Sequence, residues 1–247
     1  CVNDLITVGA TPLFFLDYIA TEHFERKIVE ALVRSIAKAC KVADCALVGG
    51  ETAQMPGVYA PGHFDLAGFV VGVVERSQLL GAHKVQAGDQ ILGLPSNGLH
   101  ANGFSLVRAI LGTEDGEEIK KIPTDLNLVE ELLRPTRLYV EEMRKIKKLD
   151  GVHAAAHITG GGLPGNIIRV LPDGHQATLE KSNWQVPPIF QWLADRGDVE
   201  DEEMFRTFNM GIGFVVIAAY EAVDNLIDQG FSLIGSVQGG EKGVTLI

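Results

Sequence analysis

Between residues 28 and 40 the apolar positions Ile28, Val29, Leu32, Val33, Ile36 and Ala37 recur at three- and four-residue intervals, the spacing of one helical face. That pattern predicts an amphipathic helix. It lies between two β-rich runs, residues 12–19 and 44–48, and a third run at 64–74 follows a loop punctuated by Pro56, Gly57, Pro61 and Gly62. Strand alternating with helix gives the fold class α/β, of the α+β type. A second block opens at the turn Val85-Gln86-Ala87-Gly88-Asp89, which leads into the apolar run 91–94. The boundary is therefore expected between residues 78 and 85, dividing the chain into domains 1–80 and 81–247. Downstream the pattern predicts a helix over 102–111, a charged loop at 113–121 and helices near 127–149. Strand-like runs follow at 176–179, 213–218 and 232–237. The longest apolar stretches, such as 69–74 with Gly72 inside it, fall far short of the roughly 18 residues a membrane span needs.

The chain has 247 residues, of which 46% are hydrophobic and 7% aromatic, enough to bury one large or two modest cores. A formal net charge of -11 argues against nucleic-acid binding, because neutralising phosphates needs a dense basic face. Lys145, Lys147 and Lys148 are the nearest approach to one, and their helical context reads as a solvated face. Cys40 and Cys45 lie five apart and Cys1 stands alone, which gives neither a disulfide framework nor a zinc-ligand spacing. A reducing cytoplasm is the expected compartment. The first residues, Cys1-Val2-Asn3-Asp4-Leu5, read as the middle of an element, so a fragment of a longer chain is expected.

Five segments carry candidate chemistry. Gly49-Gly50-Glu51-Thr52 follows the short run Ala46-Leu47-Val48, read as buried. Paired glycines at a strand end admit a phosphate or metal to the backbone, and Glu51 can hold Mg²⁺; the alternative is a tight turn with an exposed glutamate. Asn3 and Asp4 sit on a predicted helix, where Asp4 is a possible second Mg²⁺ ligand or an ordinary surface charge. Asp17, inside an apolar run, needs either a partner or an exposed edge. The segment Ser96-Asn97-Gly98-Leu99-His100-Ala101-Asn102 is a polar loop entering a helix. Its side chains and amides suit an anionic ligand and proton handling by His100, or simply a helix cap and a surface histidine. Asn209, before Met210-Gly211, could bind substrate or fix a turn.

The remaining segment is His153-Ala154-Ala155-Ala156-His157-Ile158-Thr159-Gly160-Gly161-Gly162-Leu163-Pro164-Gly165-Asn166, read as opening a helix at 167–171. Three consecutive glycines offer amides to a phosphate. Gly160, Gly162 and Gly165 also satisfy G-x-G-x-x-G, with Glu180 some way on, as a dinucleotide site would. Against that reading, the alanine-rich lead-in makes a poor buried parallel strand, Pro164 interrupts the turn, and no further βαβ units follow.

In this order, the strings Val2-Asn3-Asp4-Leu5, Pro12-Leu13-Phe14-Phe15-Leu16-Asp17-Tyr18, Gly49-Gly50-Glu51-Thr52, Arg134-Pro135-Thr136-Arg137, His157-Ile158-Thr159-Gly160-Gly161-Gly162 and Phe208-Asn209 resemble the aminoimidazole ribonucleotide synthetase family, also called the phosphoribosylformylglycinamidine cyclo-ligases. The resemblance runs nearly end to end. It implies a partial ferredoxin-like ATP-binding domain, whose sheet joins that of a homodimer mate, followed by a second α/β domain that completes the substrate site. It implies ATP and Mg²⁺ as cofactors and the small molecule formylglycinamidine ribonucleotide as substrate, closed to aminoimidazole ribonucleotide with release of ADP and phosphate. By motif position, Asn3, Asp4, Gly49, Gly50, Glu51 and Thr52 would meet the nucleotide, with Asp4 and Glu51 on the metal. Ser96, Asn97, Asn102, Thr159, Gly160, Gly161, Gly162 and Asn209 would line the substrate site, and His100 would move a proton. The family's upstream Asp-Gly-Val-Gly-Thr-Lys motif has no copy in this sequence, so this chain alone is expected to turn over weakly. Other members of the superfamily, such as selenophosphate synthetase or thiamine monophosphate kinase, are the nearest enzymatic alternatives, and a non-catalytic fragment is another.

Overall fold

The computed structural model describes residues 1–113 and 115–247. Its first elements are α1 (Val2–Ile6), β1 (Thr11–Thr21), α2 (Arg26–Val42), β2 (Ala46–Gln54), β3 (Phe64–Val73) and β4 (Gln90–Pro95). Then come α3 (Phe104–Leu111), α4 (Gly116–Ile119), α5 (Leu128–Leu133), α6 (Val140–Ile146), β5 (Val152–His157) and α7 (Gly162–Ile167). The chain ends with β6 (His175–Leu179), α8 (Pro188–Gly197), α9 (Asp201–Thr207), β7 (Ile212–Ala218), α10 (Val223–Asp228), β8 (Ser232–Gly239) and β9 (Gly243–Leu246). Two compact units result: Cys1–Leu79 with Leu138–Lys145, and Leu80–Arg137 with Ile146–Ile247. The segment Leu138–Lys145, in the sequence range expected for the second domain, thus groups with the first unit.

In the first unit the sheet runs β2-β1-β3, with β1 parallel to β2 and antiparallel to β3. The helix expected from periodicity is α2, and its half-buried stripe is Val29, Leu32, Val33 and Ile36, ending in buried Cys40. Ile28 and Ala37, read as part of that face, are exposed. The helix covers one face of a sheet of only three strands, which leaves apolar side chains in the open: Val48 is 61% and Phe69 62% exposed, and Val71 and Val73 are exposed with them. The reading of residues 46–48 as a buried run is therefore corrected. On the edge strand β2, paired on one side only, Ala46 and Val48 are exposed and Leu47 is half-buried.

The second unit holds a sheet of order β5-β7-β4-β8-β6-β9, antiparallel except for the pair β6 and β9. Every residue of β7 is buried. Its side chains alternate: Val215 and Ile217 join a core with Leu163, Ile167, Phe190, Leu193, Met204, Phe205 and Phe208, while Phe214 and Val216 are buried outside that cluster. This double coverage is why the strand reads as a continuous apolar run. The alanine-rich segment before the glycines, judged a poor parallel strand, is the antiparallel strand β5, where small residues pack closely against β7. The charged loop expected at 113–121 contains the short helix α4, whose Asp115 caps it by accepting from the Glu117 N–H; residue 114 lies outside the described residues. The helical stretch expected near 127–149 is two short helices separated by the extended segment 134–138. Among the described residues no helix is long and apolar enough to cross a membrane.

Candidate functional site

The loop after β4 is built around one buried carboxamide. Asn209 Oδ1 accepts from the Ser96 hydroxyl at 2.9 Å and from the Gly211 N–H at 2.9 Å. Its Nδ2 donates to the carbonyls of Gly98 at 2.7 Å and Leu99 at 3.2 Å. The Ser96 N–H donates in turn to the Gly211 carbonyl at 2.8 Å. The residue expected to bind substrate or fix a turn does the second, and it fixes the neighbouring loop as well. From the other side the segment Arg134-Pro135-Thr136-Arg137 clamps the same loop. Arg137 donates from Nη1 to the Pro95 carbonyl at 3.0 Å and Arg134 from Nη1 to the Asn97 carbonyl at 3.3 Å, while Asn97 Nδ2 donates to the Pro135 carbonyl at 3.3 Å.

His100 lies inside this clamp, buried, with φ 61. Its Nε2 accepts from the backbone N–H groups of Asn97 at 3.1 Å and Arg137 at 3.4 Å. Burial pushes its pKa down to about 4, and the nearby charges of His157 and Arg137 push the same way. At neutral pH the ring is uncharged and its Nε2 serves as an acceptor for the loop. Through Nε2 the ring therefore helps hold the loop in place.

The glycine loop has its own organiser. Asn166 is buried and its Nδ2 donates to the carbonyls of Thr159, Gly160 and Gly162, the last at 2.7 Å, while its Oδ1 accepts from the Thr159 hydroxyl at 3.2 Å. The helix here is α7, which begins at Gly162 rather than at residue 167, because Gly161 (φ 95) and Gly162 (φ 59) turn the chain straight into it. Gly162 also packs where a Cβ would strike the carbonyl of Phe205. The two loops approach each other: a Cβ on Gly160 would lie 3.8 Å from Asn102 Oδ1. Ser96, Asn97, Asn102, Thr159, Gly160 and Gly161 thus form one polar rim, with His157, Arg134 and Arg137 beside it. Hydroxyls, amides and guanidinium groups at such a rim suit an anionic ligand. The G-x-G-x-x-G reading as a dinucleotide site fails here, because β5 is antiparallel to its neighbour β7 and no parallel βαβ unit surrounds the glycines. The sequence pattern assigns no role to Asn166 or to Trp184, whose indole N–H donates to the Met210 carbonyl at 2.9 Å; Asn166 acts within its own loop, on partners four to seven residues back, while Trp184 reaches a turn 26 residues on.

In the first unit, Asn3 is buried on α1, and its Oδ1 accepts from the Tyr139 N–H at 3.1 Å, an internal tie. The Asp4 side chain on the same helix is 63% exposed. Gly49, Gly50, Glu51 and Thr52, expected at a strand end with a tight turn as the alternative, instead continue the exposed edge strand β2. Gly50 pairs with Asp17 of β1, and a Cβ at Gly50 would run into the Asp17 carboxylate and backbone. The glycine therefore makes room for a half-buried carboxylate on the central strand, and Glu51, next along β2, projects from the opposite face. The Asp17 charge, after burial, raises the Cys40 thiol pKa. Among the described residues no group of three or more His, Cys, Asp or Glu gathers to hold a metal. Mg²⁺ takes only one or two protein carboxylates and completes its shell with phosphate oxygens and water, so the exposed hard-oxygen donors Asp4 and Glu51 fit an ion delivered with a nucleotide.

Such a pairing of domains defines a class. Residues 1–74 match the family "AIR synthase related protein, N-terminal domain" and residues 86–246 its C-terminal domain. The fold is shared by the hydrogenase maturation protein HypE in complex with ATP, at a TM-score of 0.74 and 17% identity, over 99% of this chain and 72% of that one. It is shared also by thiamine-monophosphate kinase from Stenotrophomonas maltophilia K279a, at 0.73 and 20%, over 99% and 75%. Within the class, the chain is 48% identical to the phosphoribosylformylglycinamidine cyclo-ligase of Caldicellulosiruptor bescii over 100% of its own length and 75% of that protein's. It is 51% identical to that of Sorangium cellulosum over 92% and 67%. The chain belongs to the phosphoribosylformylglycinamidine cyclo-ligase family.

Proposed function

We propose that this chain closes the imidazole ring of purine biosynthesis, converting formylglycinamidine ribonucleotide to aminoimidazole ribonucleotide at the expense of ATP. The observation that carries the reading is the 48% identity to a cyclo-ligase along the whole of this chain. In this reading the polar rim of the second unit receives the substrate. Ser96, Asn97, Asn102 and Thr159 supply hydroxyl and amide contacts, Gly160 and Gly161 let the backbone approach closely while buried Gly162 sets the turn behind them, and Arg137 lends positive potential toward a phosphate. Asn209 and His100 hold the rim's shape, so the ligand meets a loop already set in place. In the first unit Asp4, Glu51 and Thr52 face solvent on α1 and β2 and are assigned to the nucleotide and its Mg²⁺. The ion, when bound, neutralises charge on the transferring phosphoryl group. The formyl oxygen takes the γ-phosphoryl group, an internal nitrogen attacks the activated carbon, and phosphate leaves. The reading extends to a cytoplasmic enzyme, which three free cysteines suit, and to a homodimer, which the exposed Val48, Phe69, Val71 and Val73 suit.

Isothermal titration with Mg²⁺-ATP and, separately, with formylglycinamidine ribonucleotide tests the assignment. Glu51→Gln should weaken binding of Mg²⁺-ATP and leave the substrate isotherm unchanged, whereas Thr159→Val should do the reverse. If both variants weakened the same ligand, the division of labour would be wrong.

A further inference from the structure

The turn that carries Asn209 is held from behind by a side chain far from the polar rim in sequence. Met210 (φ 49) and Gly211 (φ 95) both lie in the left-handed region, and a methionine stays there only when its surroundings fix it. Trp184 Nε1 donates to the Met210 carbonyl at 2.9 Å. The indole is anchored in turn: it meets the Phe205 ring edge-on, with centroids 6.4 Å apart and planes at 80°. The chain following Trp184 presses on the same turn, because a Cβ on Gly211 would lie 2.6 Å from the Pro187 ring and 3.1 Å from the Gln185 carbonyl. The peptide of Met210 is thus gripped on one side by Trp184 and linked on the other, through Asn209, to Ser96, Gly98 and Leu99.

We propose that Trp184 is a positioning residue for the substrate loop: its indole N–H fixes the Met210 peptide and thereby the aim of the Asn209 carboxamide on residues 96–99. The proposal rests on the assignment of that loop to the substrate. Trp184 is placed to work only through the turn, so its loss should blur where Ser96 and Asn97 stand without touching the nucleotide.

Trp184→Phe keeps an aromatic ring against Phe205 and removes only the N–H donor. The expected result is a rise of about five- to tenfold in KM for formylglycinamidine ribonucleotide, the size of one lost buried hydrogen bond, with KM for ATP unchanged within about twofold. A merely structural role would move both constants or neither. A spectroscopic measurement supplements the kinetics. The 247 residues contain two tryptophans, so in a Trp192→Phe background Trp184 is the remaining emitter of this chain. Its emission should shift on titration with the substrate, at the half-saturation that calorimetry gives, and stay constant with ATP. Unchanged KM values in Trp184→Phe would overturn the proposal, as would Trp184 emission that ignores a substrate calorimetry shows to be bound. Calorimetry that finds no substrate binding to the unaltered protein would bring down the cyclo-ligase assignment of the loop, and this proposal with it.

Discussion

Asn209 binds Ser96 across a sequence separation of 113 residues, and the same carboxamide also holds the carbonyls of Gly98 and Leu99. Asn209 is 3% exposed, so the groups it holds are shielded from bulk water. Asn209→Ala would strand two buried carbonyls and the Gly211 N–H, at a cost of about 2–4 kcal/mol. Asn209→Asp should lose at least as much, because a carboxylate oxygen would then face the two carbonyls. Urea unfolding gives the comparison directly. A wild-type midpoint in Asn209→Ala would mean that the Arg134 and Arg137 clamp alone holds the loop.

Two glycines three positions apart should respond oppositely to the same methyl group. Gly162 has φ 59, and a Cβ there strikes the Phe205 carbonyl, a backbone atom that cannot swing aside. Gly162→Ala is expected to destabilise by about 3 kcal/mol or more and to displace the glycine loop. Gly165 lies within α7 with nothing near its missing Cβ. Gly165→Ala should be neutral or stabilise by about 0.5–1 kcal/mol, since alanine loses less entropy in a helix. Thermal melts of the two variants side by side check this; a matching fall in both would place the sensitivity in the whole loop rather than in the Phe205 contact.

The contrast explains what sequence could and could not convey. Local periodicity was legible: the strands at 12–19, 64–74, 91–94 and 213–218 and the helix under Val29, Leu32 and Val33 all form, because apolar spacing reports a face directly. The polar segments at 96–102 and 159–162 were legible as loops, since glycine and amide clusters mark turns. Their architecture was not, because it depends on Asn209 and Trp184 meeting distant partners that no spacing rule connects, and on which carbonyls of its own loop Asn166 gathers. The edge strand β2 runs on past its expected end for a related reason: Gly49-Gly50 looks locally like a strand end, and only the Asp17 carboxylate and backbone on the adjacent strand make glycine necessary at position 50 in an extended chain. The strand β5 was discounted because alanines score poorly in isolation, whereas beside the fully buried β7 small residues are what fits.

At the opposite end of the second sheet from the polar rim, Asp89 joins the starts of β4 and β5. Its buried Oδ2 accepts from the Gln86 N–H at 2.8 Å and meets His153 Nδ1 at 2.7 Å. β4 and β5 flank β7, so this contact ties the edge strand β5 to β4 across the fully buried β7. Asp89→Ala should cost about 1–3 kcal/mol by leaving the Gln86 N–H and the imidazole without their acceptor. The site residues lie at the other ends of these strands, so substrate affinity measured below the melting transition should hold. A fall in affinity at full folding would show that the sheet transmits the change to the rim.

His100 gives the molecule a defined acid sensitivity. Its folded-state pKa is about 4 against an ordinary 6.5, lowered first by burial and then by His157 and Arg137. Between those values the unfolded chain holds a proton on this ring that the folded chain does not, so stability rises with pH through the window. Read downward, the contribution is intact above pH 6.5 and is lost as pH falls toward 4, by about 3 kcal/mol at 1.36 kcal/mol per unit. His100→Gln retains an acceptor for the N–H groups of Asn97 and Arg137 but has nothing to titrate. The variant should be somewhat less stable at pH 7 and show a flatter dependence between pH 6.5 and 4. Urea midpoints at half-unit steps of pH measure both slopes. Parallel slopes would mean that His100 takes up its proton in the folded state as readily as in the unfolded one, and that the loop opens enough to let water reach the ring.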